Sequence, residues 1–144
     1  MAGASFTMDT RSLEKKFGYM LNRLRQSKKM LSTIGEALVT STKLRFQTTK
    51  DPDGKQWKKS VRVKKVGGQT LSDTGDLKGS INYEATDTLV AVGSNNDVYA
   101  HAHQAGSKVG RNLSVQLPRR QFLGINDDDM EEVEEIIKEH IMGF

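Results

Sequence analysis

The chain has 144 residues, of which 35% are apolar, 28% are charged and 13 are glycine, and it contains no cysteine. This length is typical of one domain with a real core, and the lack of cysteine excludes disulfides and cysteine-ligated zinc. No run approaches the ~18 consecutive apolar residues of a membrane span. Residues 1–10 lack the apolar core of a signal peptide. We therefore expect one domain over residues 1–144, made in a cytoplasm and without contact with a membrane.

The net charge of +4 is unevenly distributed along the chain. Residues 43–65 hold nine Lys or Arg and two Asp, a local charge of +7, whereas residues 127–139 hold eight acidic residues and one Lys, a local charge of −7. Each run alone is explained by a solvated face. The alternative is that opposite patches meet between subunits or with a partner, since complementary charge speeds association and sets register. A head-to-tail ring would bring a basic patch against the next subunit's acidic helix.

The N-terminal third is predicted to be helical after a loose arm over residues 1–8. Apolar residues recur at helical spacing over residues 10–26 and again over 28–47, which predicts a helix pair or one long kinked helix. Turn chemistry at Asp51-Pro52-Asp53-Gly54 ends this region. We expect Trp57 to fold back and cover the helices.

The rest of the chain is predicted to be mainly strands and loops. Residues 58–68 read as an extended, mobile loop, and residues 72–77 as a turn leading into a short helical or extended piece. Residues 80–86 and 88–93 are rich in β-formers and predict a hairpin. Residues 98–104 are consistent with a strand or a short helix.

The C-terminal part is predicted to hold one more strand and a final helix. Residues 113–117 form a short strand that Pro118 stops. Asn126 or Asp127 caps the helix, whose acidic first turn suits the helix dipole. The fold class is α+β, with an N-terminal long helix or helix pair, a small antiparallel sheet with long loops, and a C-terminal acidic helix.

Asp73-Thr74-Gly75 matches the motif that carries the catalytic aspartate of aspartic proteases, in which two carboxylates share a proton. One copy in a chain of this length would require a homodimer. The flanking Ser72 and Asp76 are polar, whereas those enzymes bury this loop in an apolar context. We therefore interpret the motif as a tight turn in which Asp73 or Thr74 bonds backbone amides.

Two histidines raise the question of a metal site. On a strand His101 and His103 would share a face and supply two ligands, but no third ligand is evident. We expect one to pack beneath the sheet and the other to lie at a subunit contact, with His140 at the surface. The loop Gly106–Arg111 lacks the Gly-Lys-Ser/Thr ending of a phosphate loop. No Ser, His and Asp arrangement suggests a triad, so we expect no enzyme, cofactor or metal.

The basic run beginning at Lys55 could contact DNA phosphates. Trp57 is its only aromatic residue, so base stacking is not indicated. Two DNA readings stay open: passive contact with DNA passing through a ring, and a non-specific double-stranded DNA-binding module.

A series of short motifs follows in fixed order from Ile34 to Gly124, and most of them lie between Phe46 and Gly124. The motifs are Ile34-Gly35-Glu36-Ala37-Leu38, Arg45-Phe46, Asp51-Pro52-Asp53-Gly54 with Trp57, Leu71 with Thr74-Gly75 and Leu77, Ser80-Ile81, Val92-Gly93, Tyr99-Ala100, His103-Gln104-Ala105-Gly106, and Pro118-Arg119 with Phe122-Leu123-Gly124. Each is weak alone, and the ordered set is specific. The chain resembles the phage virion morphogenesis family, which includes Mu-like neck proteins and P2-like tail completion proteins.

The resemblance implies a structural, non-enzymatic role as a tail terminator or tail completion protein. Such proteins form a ring, expected to be a hexamer, at the head-proximal end of the tail and support head–tail joining. The implied partners are further copies of this chain, tail tube or sheath proteins, and head-completion or connector proteins. The implied location is the neck of a virion assembled in the host cytoplasm.

The candidate contact residues follow from the charge pattern and from the segment after Pro118, which could dock on a neighbour. They are Lys58, Lys59, Arg62, Lys64, Lys65, Lys108, Arg111, Arg119, Arg120, Phe122, Glu131, Glu132, Glu134 and Glu135.

Overall fold

The computed structural model describes residues 3–143 and has the α+β architecture expected from the sequence. Its helices are α1 (Arg11–Leu24), α2 (Ser27–Thr48), α3 (Val61–Val66), α4 (Asp76–Gly79), α5 (Asp97–Ala105) and α6 (Asp127–Met142), with a short 3₁₀ helix at Arg111–Leu113. Its strands are β1 (Ile81–Ala85), β2 (Val90–Ser94), β3 (Ser107–Val109) and β4 (Val115–Leu117).

The N-terminal helices form a pair rather than one kinked helix. Gln26 leaves the helical region of backbone space with φ −98° and ψ 40°, which separates α1 from α2. The predicted helix pair is confirmed, and each boundary lies within two residues of its prediction. The part of the predicted N-terminal arm that the structure describes, residues 3–8, is exposed and has no regular secondary structure; residues 1 and 2 lie outside the described residues.

The turn after α2 returns the chain onto that helix, as predicted. Asp51 accepts hydrogen bonds from the backbone N–H groups of Gly54 and Lys55 at 3.0 and 2.8 Å, which closes the turn. Trp57 is then buried against α2, with its ring edge-on to Phe46 at 5.6 Å. Its indole Nε1 donates to the carbonyl oxygen of Gln121 at 2.9 Å, so the turn also anchors the segment before α6.

The core is one cluster between α2, the β1–β2 hairpin and the segment before α6. Its buried members are Phe46, Trp57, Leu77, Ile81, Ala100 and Phe122. Phe46 and Phe122 are completely buried, with ring centroids 5.4 Å apart. Gly35 lets β1 approach α2, because a Cβ at this position would overlap the ring of Tyr83.

The β1–β2 hairpin is confirmed, with Ile81 paired to Ser94 and Ala85 to Val90. Instead of the one small antiparallel sheet that the sequence predicts, the described strands form two separate two-stranded antiparallel sheets, β1–β2 and β3–β4. Helix α5 lies between the two hairpins. Because a helix continues neither ladder, the second pair of strands starts a new sheet.

A buried polar cluster fixes α6 on α2. Arg45 lies within α2, and its guanidinium pairs with Asp129 of α6 at 2.5 Å. The same guanidinium donates to the carbonyl oxygens of Phe122 and Gly124 at 2.8 and 2.9 Å. Asn126 caps α6 through a capping box with Asp129, which confirms the predicted cap.

The C-terminal end of α6 also holds α1. The ring of His140 shares a 2.7 Å hydrogen bond with the carbonyl oxygen of Arg23, and the Arg23 side chain donates to the carbonyl oxygen of His140. His140, expected at the surface, is half-buried where α6 meets the end of α1. Within residues 3–143 no helix is long and apolar enough to cross a membrane.

Candidate functional site

A groove of about 760 Å³ lies beside α3. Residues from α3, α4, α5 and β4, and from the segments that precede α3 and follow β4, form its walls. Five basic side chains line it, together with two carboxylates, Asp73 and Asp76. These bases are Lys58, Lys59, Arg62, Lys64 and Arg120. We call this feature the basic groove.

Helix α3 forms where an extended loop was predicted. Ser60 caps it, because its Oγ accepts a hydrogen bond from the backbone N–H of Val63 at 3.3 Å. Gly67 then ends the helix with a φ of 78°, which suits a glycine. Two sequence signals could have indicated this helix: Ser60, a residue type that often caps the start of a helix, and the pair Gly67-Gly68, which can end one. The six-residue helix holds Arg62 and Lys64 on one side of the groove.

Arg62 of α3 contacts the start of the Asp73-Thr74-Gly75 turn and the segment before it. Its guanidinium lies 3.5 Å from Asp73 and donates to the carbonyl oxygen of Gln69 at 2.8 Å. The Thr74 hydroxyl accepts a hydrogen bond from the N–H of Asp76 at 3.3 Å, as the turn interpretation predicted. In this fold the motif forms the entry to α4.

Arg120 lies inside the fold, although it was a candidate surface contact. It is only 4% exposed, and its Nε donates to the carbonyl oxygen of Lys58 at 2.8 Å. None of the ion pairs formed within residues 3–143 includes it. Burial lowers the pKa of the Arg120 guanidinium, since a desolvated positive charge is disfavoured.

His103 is buried next to Arg120. The backbone N–H of Arg120 donates to the carbonyl oxygen of His103 at 2.8 Å, and Tyr99 packs on the imidazole with ring centroids 5.2 Å apart. Burial lowers the pKa of His103, and the positive charge of Arg120 lowers it further. The imidazole is therefore neutral at pH 7, and its buried Nδ1 has no hydrogen-bond partner among the described residues.

The two histidines do not share a face. Residues 97–105 form a helix, in which side chains two positions apart point in directions about 200° apart. His103 is buried and His101 is exposed. No group of three or more metal-ligating side chains comes together in the part of the chain that the structure describes.

The acidic surface is the solvent face of α6. Glu131, Glu132, Glu134 and Glu135 are all exposed on it. Glu135 pairs with Lys138 of the same helix at 3.0 Å. No ion pair among the described residues joins this face to the basic groove. Within residues 3–143 the two charged surfaces therefore do not neutralise each other.

The structure divides the predicted contact residues into three sets. The basic groove collects Lys58, Lys59, Arg62 and Lys64. The second set is exposed and lies outside the groove. Lys65 is on α3, Lys108 and Arg111 are on the β3–β4 hairpin, Arg119 follows that hairpin, and the four glutamates are on α6. The third set is buried: Arg120, which is 4% exposed, lies in the wall of the groove, and Phe122 lies in the core.

A further surface was not among the predicted contacts. No residue of α1, which the structure describes in full, is buried, and Leu13, Phe17, Leu21 and Leu24 are between 40% and 58% exposed along one side of the helix. We call them the α1 stripe. The periodicity was visible in the sequence, but a stripe that packs in the core has the same periodicity. Only the position of α1 at the edge of the fold reveals the exposure.

Uncovered apolar and charged surfaces on a small α+β domain are typical of subunits of larger assemblies. The comparison with protein families agrees. The chain belongs to the phage virion morphogenesis family, whose model matches residues 8–142. This membership confirms the resemblance seen in the motif series and supports a structural role in virion morphogenesis.

The chain is also similar to the Mu-like prophage FluMu G protein 2 of Haemophilus influenzae (strain ATCC 51907 / DSM 11121 / KW20 / Rd), with 36% identity over 84 residues. The alignment covers 58% of each of the two chains. No solved structure matches this chain.

Proposed function

We propose that this protein is a tail terminator or tail completion (neck) protein. It forms a ring, a hexamer, at the head-proximal end of a phage tail and supports joining of the head. Family membership supports the structural role in virion morphogenesis. The observation that carries the ring is the separation of the acidic face of α6 from the basic groove on one chain, without an ion pair between them among the described residues.

Two different complementary surfaces on one subunit favour a head-to-tail contact. Such a contact closes into a ring when the rotation between subunits is a whole fraction of a turn. At 0.1 M salt, exposed charges more than about 10 Å apart are largely screened from each other. The acidic face and the basic groove therefore stabilise assembly only where they come into close contact. The α1 stripe adds apolar area that a subunit contact would remove from water.

In this proposal the ring contacts tail tube or sheath proteins on one side and head-completion or connector proteins on the other. Exposed Lys108, Arg111 and Arg119 provide charged contacts outside the basic groove. The protein is then located in the virion neck after assembly in the host cytoplasm.

Electron microscopy of the purified full-length protein and of virions tests this function. We expect six-fold rings in the purified sample and density for the protein at the neck. Inactivation of the gene should leave unattached heads, with tails that lack a head or exceed the normal length. A protein that stays monomeric at high concentration, with normal virions formed in its absence, would refute the proposal.

The second candidate is a non-specific module that binds double-stranded DNA. It is favoured by the exposure of Lys58, Lys59 and Lys64 along one groove. A phosphate-binding groove would give an affinity for duplex DNA that falls steeply with salt, with a slope close to the number of neutralised phosphates. Passive contact with genomic DNA in the ring lumen would give only weak binding by the isolated protein. Fluorescence anisotropy with a labelled duplex at several salt concentrations separates the two.

A further inference from the structure

Arg120 is a buried positive charge that forms no ion pair with a carboxylate of residues 3–143. Arg45 has a similar burial, 5% against 4% exposed, but it is paired with Asp129. Asp73, a carboxylate that lines the groove, forms its ion pair with Arg62 and not with Arg120. Burial of a charge is costly unless the charge is paired and hydrogen-bonded. The wall of the groove therefore holds a buried positive charge that no carboxylate of residues 3–143 pairs with.

His103 adds a second buried polar group with a free position. Its side chain is 7% exposed and lines the groove next to Arg120. The buried Nδ1 has no partner in residues 3–143. An imidazole N–H and a guanidinium both donate to oxygen. Together they suit a carboxylate or a phosphate oxygen.

Apolar side chains at the rim of the groove favour a protein over a nucleic acid. Val61, Tyr99 and Val115 line it and are 67%, 60% and 51% exposed. A DNA backbone offers phosphates and small sugar edges, whereas a protein segment offers whole apolar side chains that can cover these three residues. The occupant that fits presents one apolar side chain close to a carboxylate.

The α6 helix carries this combination. Met130 is 44% exposed on it and lies one turn from Glu134, because residues four apart on a helix are neighbours on its surface. The helix is also the most acidic segment of the chain, with charge opposite to that of the groove. Within one chain Asp129 and the capping box fix α6 on α2, and its solvent face stays open to a neighbour.

We infer that the basic groove is the docking site for α6 of a second copy of this chain, with Met130 against the apolar rim and the carboxylate of Glu134 on Arg120 and His103. This inference rests on the proposed ring and deepens it, since it names the groove of one subunit and the helix of the next as the two sides of the contact.

Cysteine cross-linking tests the contact directly, because the natural chain has no cysteine. A tagged full-length Val115→Cys protein is mixed with an untagged Met130→Cys protein under mild oxidation. A disulfide requires Cα atoms within about 7 Å, so a mixed dimer on a non-reducing gel reports close approach of these two positions. The matched control replaces Val115→Cys by Leu89→Cys, a position 62% exposed between β1 and β2. We expect mixed dimers with Val115→Cys and none above background with Leu89→Cys.

Neutral substitutions on α6 give a second measurement that does not disturb the groove. Loss of a charge-assisted hydrogen bond in Glu134→Gln should weaken association about tenfold in sedimentation equilibrium. Glu139→Gln removes the same charge from another side of the helix and should leave association unchanged. Equal weakening by both variants would show a general charge effect and overturn the specific pairing.

The outcomes separate this inference from the proposed function. Six-fold rings without the Val115–Met130 cross-link refute the docking arrangement and leave the ring in place. A protein that is monomeric by sedimentation and absent from the neck refutes the ring and, with it, the arrangement. Salt-sensitive binding of duplex DNA that Arg120→Gln weakens and Glu134→Gln leaves unchanged would assign the groove to nucleic acid and overturn the inference.

Discussion

Arg45 and Asp129 lie 84 residues apart in sequence and form a buried ion pair at 2.5 Å. The pair joins the last turns of α2 to the first turn of α6, and each side chain is at most 6% exposed. Asp129 also accepts a hydrogen bond from the Ser41 hydroxyl of α2. In addition, its side chain is part of the capping box at the start of α6. One carboxylate therefore caps α6 and docks it on α2, so the acidic face of α6 is oriented by this pair.

Asp129→Asn should destabilise the fold strongly. The substitution leaves the Arg45 guanidinium buried without its counter-charge, and breaking one partner of a buried pair costs about 3–5 kcal/mol. Urea unfolding followed by circular dichroism measures the change in the free energy of unfolding. Asp128→Asn is the control, since Asp128 is exposed one residue earlier in the same helical turn. A similar loss for both variants would show that the helix dipole, and not the buried pair, is responsible.

Gly35→Ala should destabilise the protein even though alanine favours helices. A Cβ at position 35 would overlap the Tyr83 ring, and overpacking of this kind costs about 1–3 kcal/mol. Gly18→Ala on α1 meets nothing within 4 Å, so it should be neutral or stabilise by up to about 1 kcal/mol. Thermal unfolding of the two variants gives the comparison. If Gly35→Ala were as stable as Gly18→Ala, the close approach of β1 to α2 would be wrong.

Replacing Phe17 and Leu21 with serine should weaken self-association and leave the fold intact. Both side chains are more than half exposed on α1, so their loss removes little from the core of one chain. If the α1 stripe is covered by a neighbour, the exposed halves of these two side chains contribute roughly 1.5–3 kcal/mol to the contact. Analytical ultracentrifugation measures the oligomer, and circular dichroism checks the fold. The control is the double substitution Lys15→Ser and Lys16→Ser on the same helix, which should leave the oligomeric state unchanged.

Reversal of the four glutamates Glu131, Glu132, Glu134 and Glu135 to lysine should abolish ring formation. The change makes α6 repel the basic groove of the next subunit, and the exposed positions tolerate it within one chain. Light scattering measures the mass of the particle. A variant with Glu84→Lys and Asp87→Lys, exposed acids of the first hairpin, should assemble normally. Unchanged ring formation by the four-residue variant would refute charge complementarity as the cause of assembly.

Acidification should destabilise the protein partly through His103. Its pKa is lowered in the folded state by burial and by Arg120, whereas the unfolded value is about 6.5. Below pH 6.5 the unfolded chain binds more protons at this position than the folded chain, so the free energy of unfolding falls as the pH falls. Melting temperatures at pH 7.5 and pH 5.5 should differ less in His103→Gln than in the natural protein. His101→Gln, at an exposed position, should keep the natural pH dependence.

Local sequence patterns determined most of the secondary structure. Helices α1, α2 and α6, the first hairpin and the turn at residues 51–54 follow from periodicity, turn residues and caps that lie within a few positions of each other. The charge separation was also legible, since both runs are continuous in sequence. The ordered motifs were sufficient to indicate the family because they are distributed along the whole middle of the chain.

Contacts between distant segments decided what the sequence left open. Residues 58–68 were expected to be extended, but the Ser60 cap and the contact of Arg62 with Asp73 give α3. From the sequence, the segment after Pro118 could dock on a neighbour or place Phe122 in the core. The segment turns inward because the ring of Phe122 packs on the ring of Phe46 in the core. The backbone N–H of Phe122 also donates a hydrogen bond to the side-chain oxygen of Gln104 at 3.0 Å.

The sequence by itself determined the elements, the charge runs and the family, because each depends on residues that are neighbours along the chain. Only the tertiary structure decided which of these residues reach the surface. An apolar stripe has the same spacing on a buried helix and on the exposed α1. An arginine has the same sequence signature whether it is solvated, like Arg119, or buried without a counter-charge among the described residues, like Arg120. Burial depends on which segments pack together, and this packing depends on contacts between segments that are far apart in sequence.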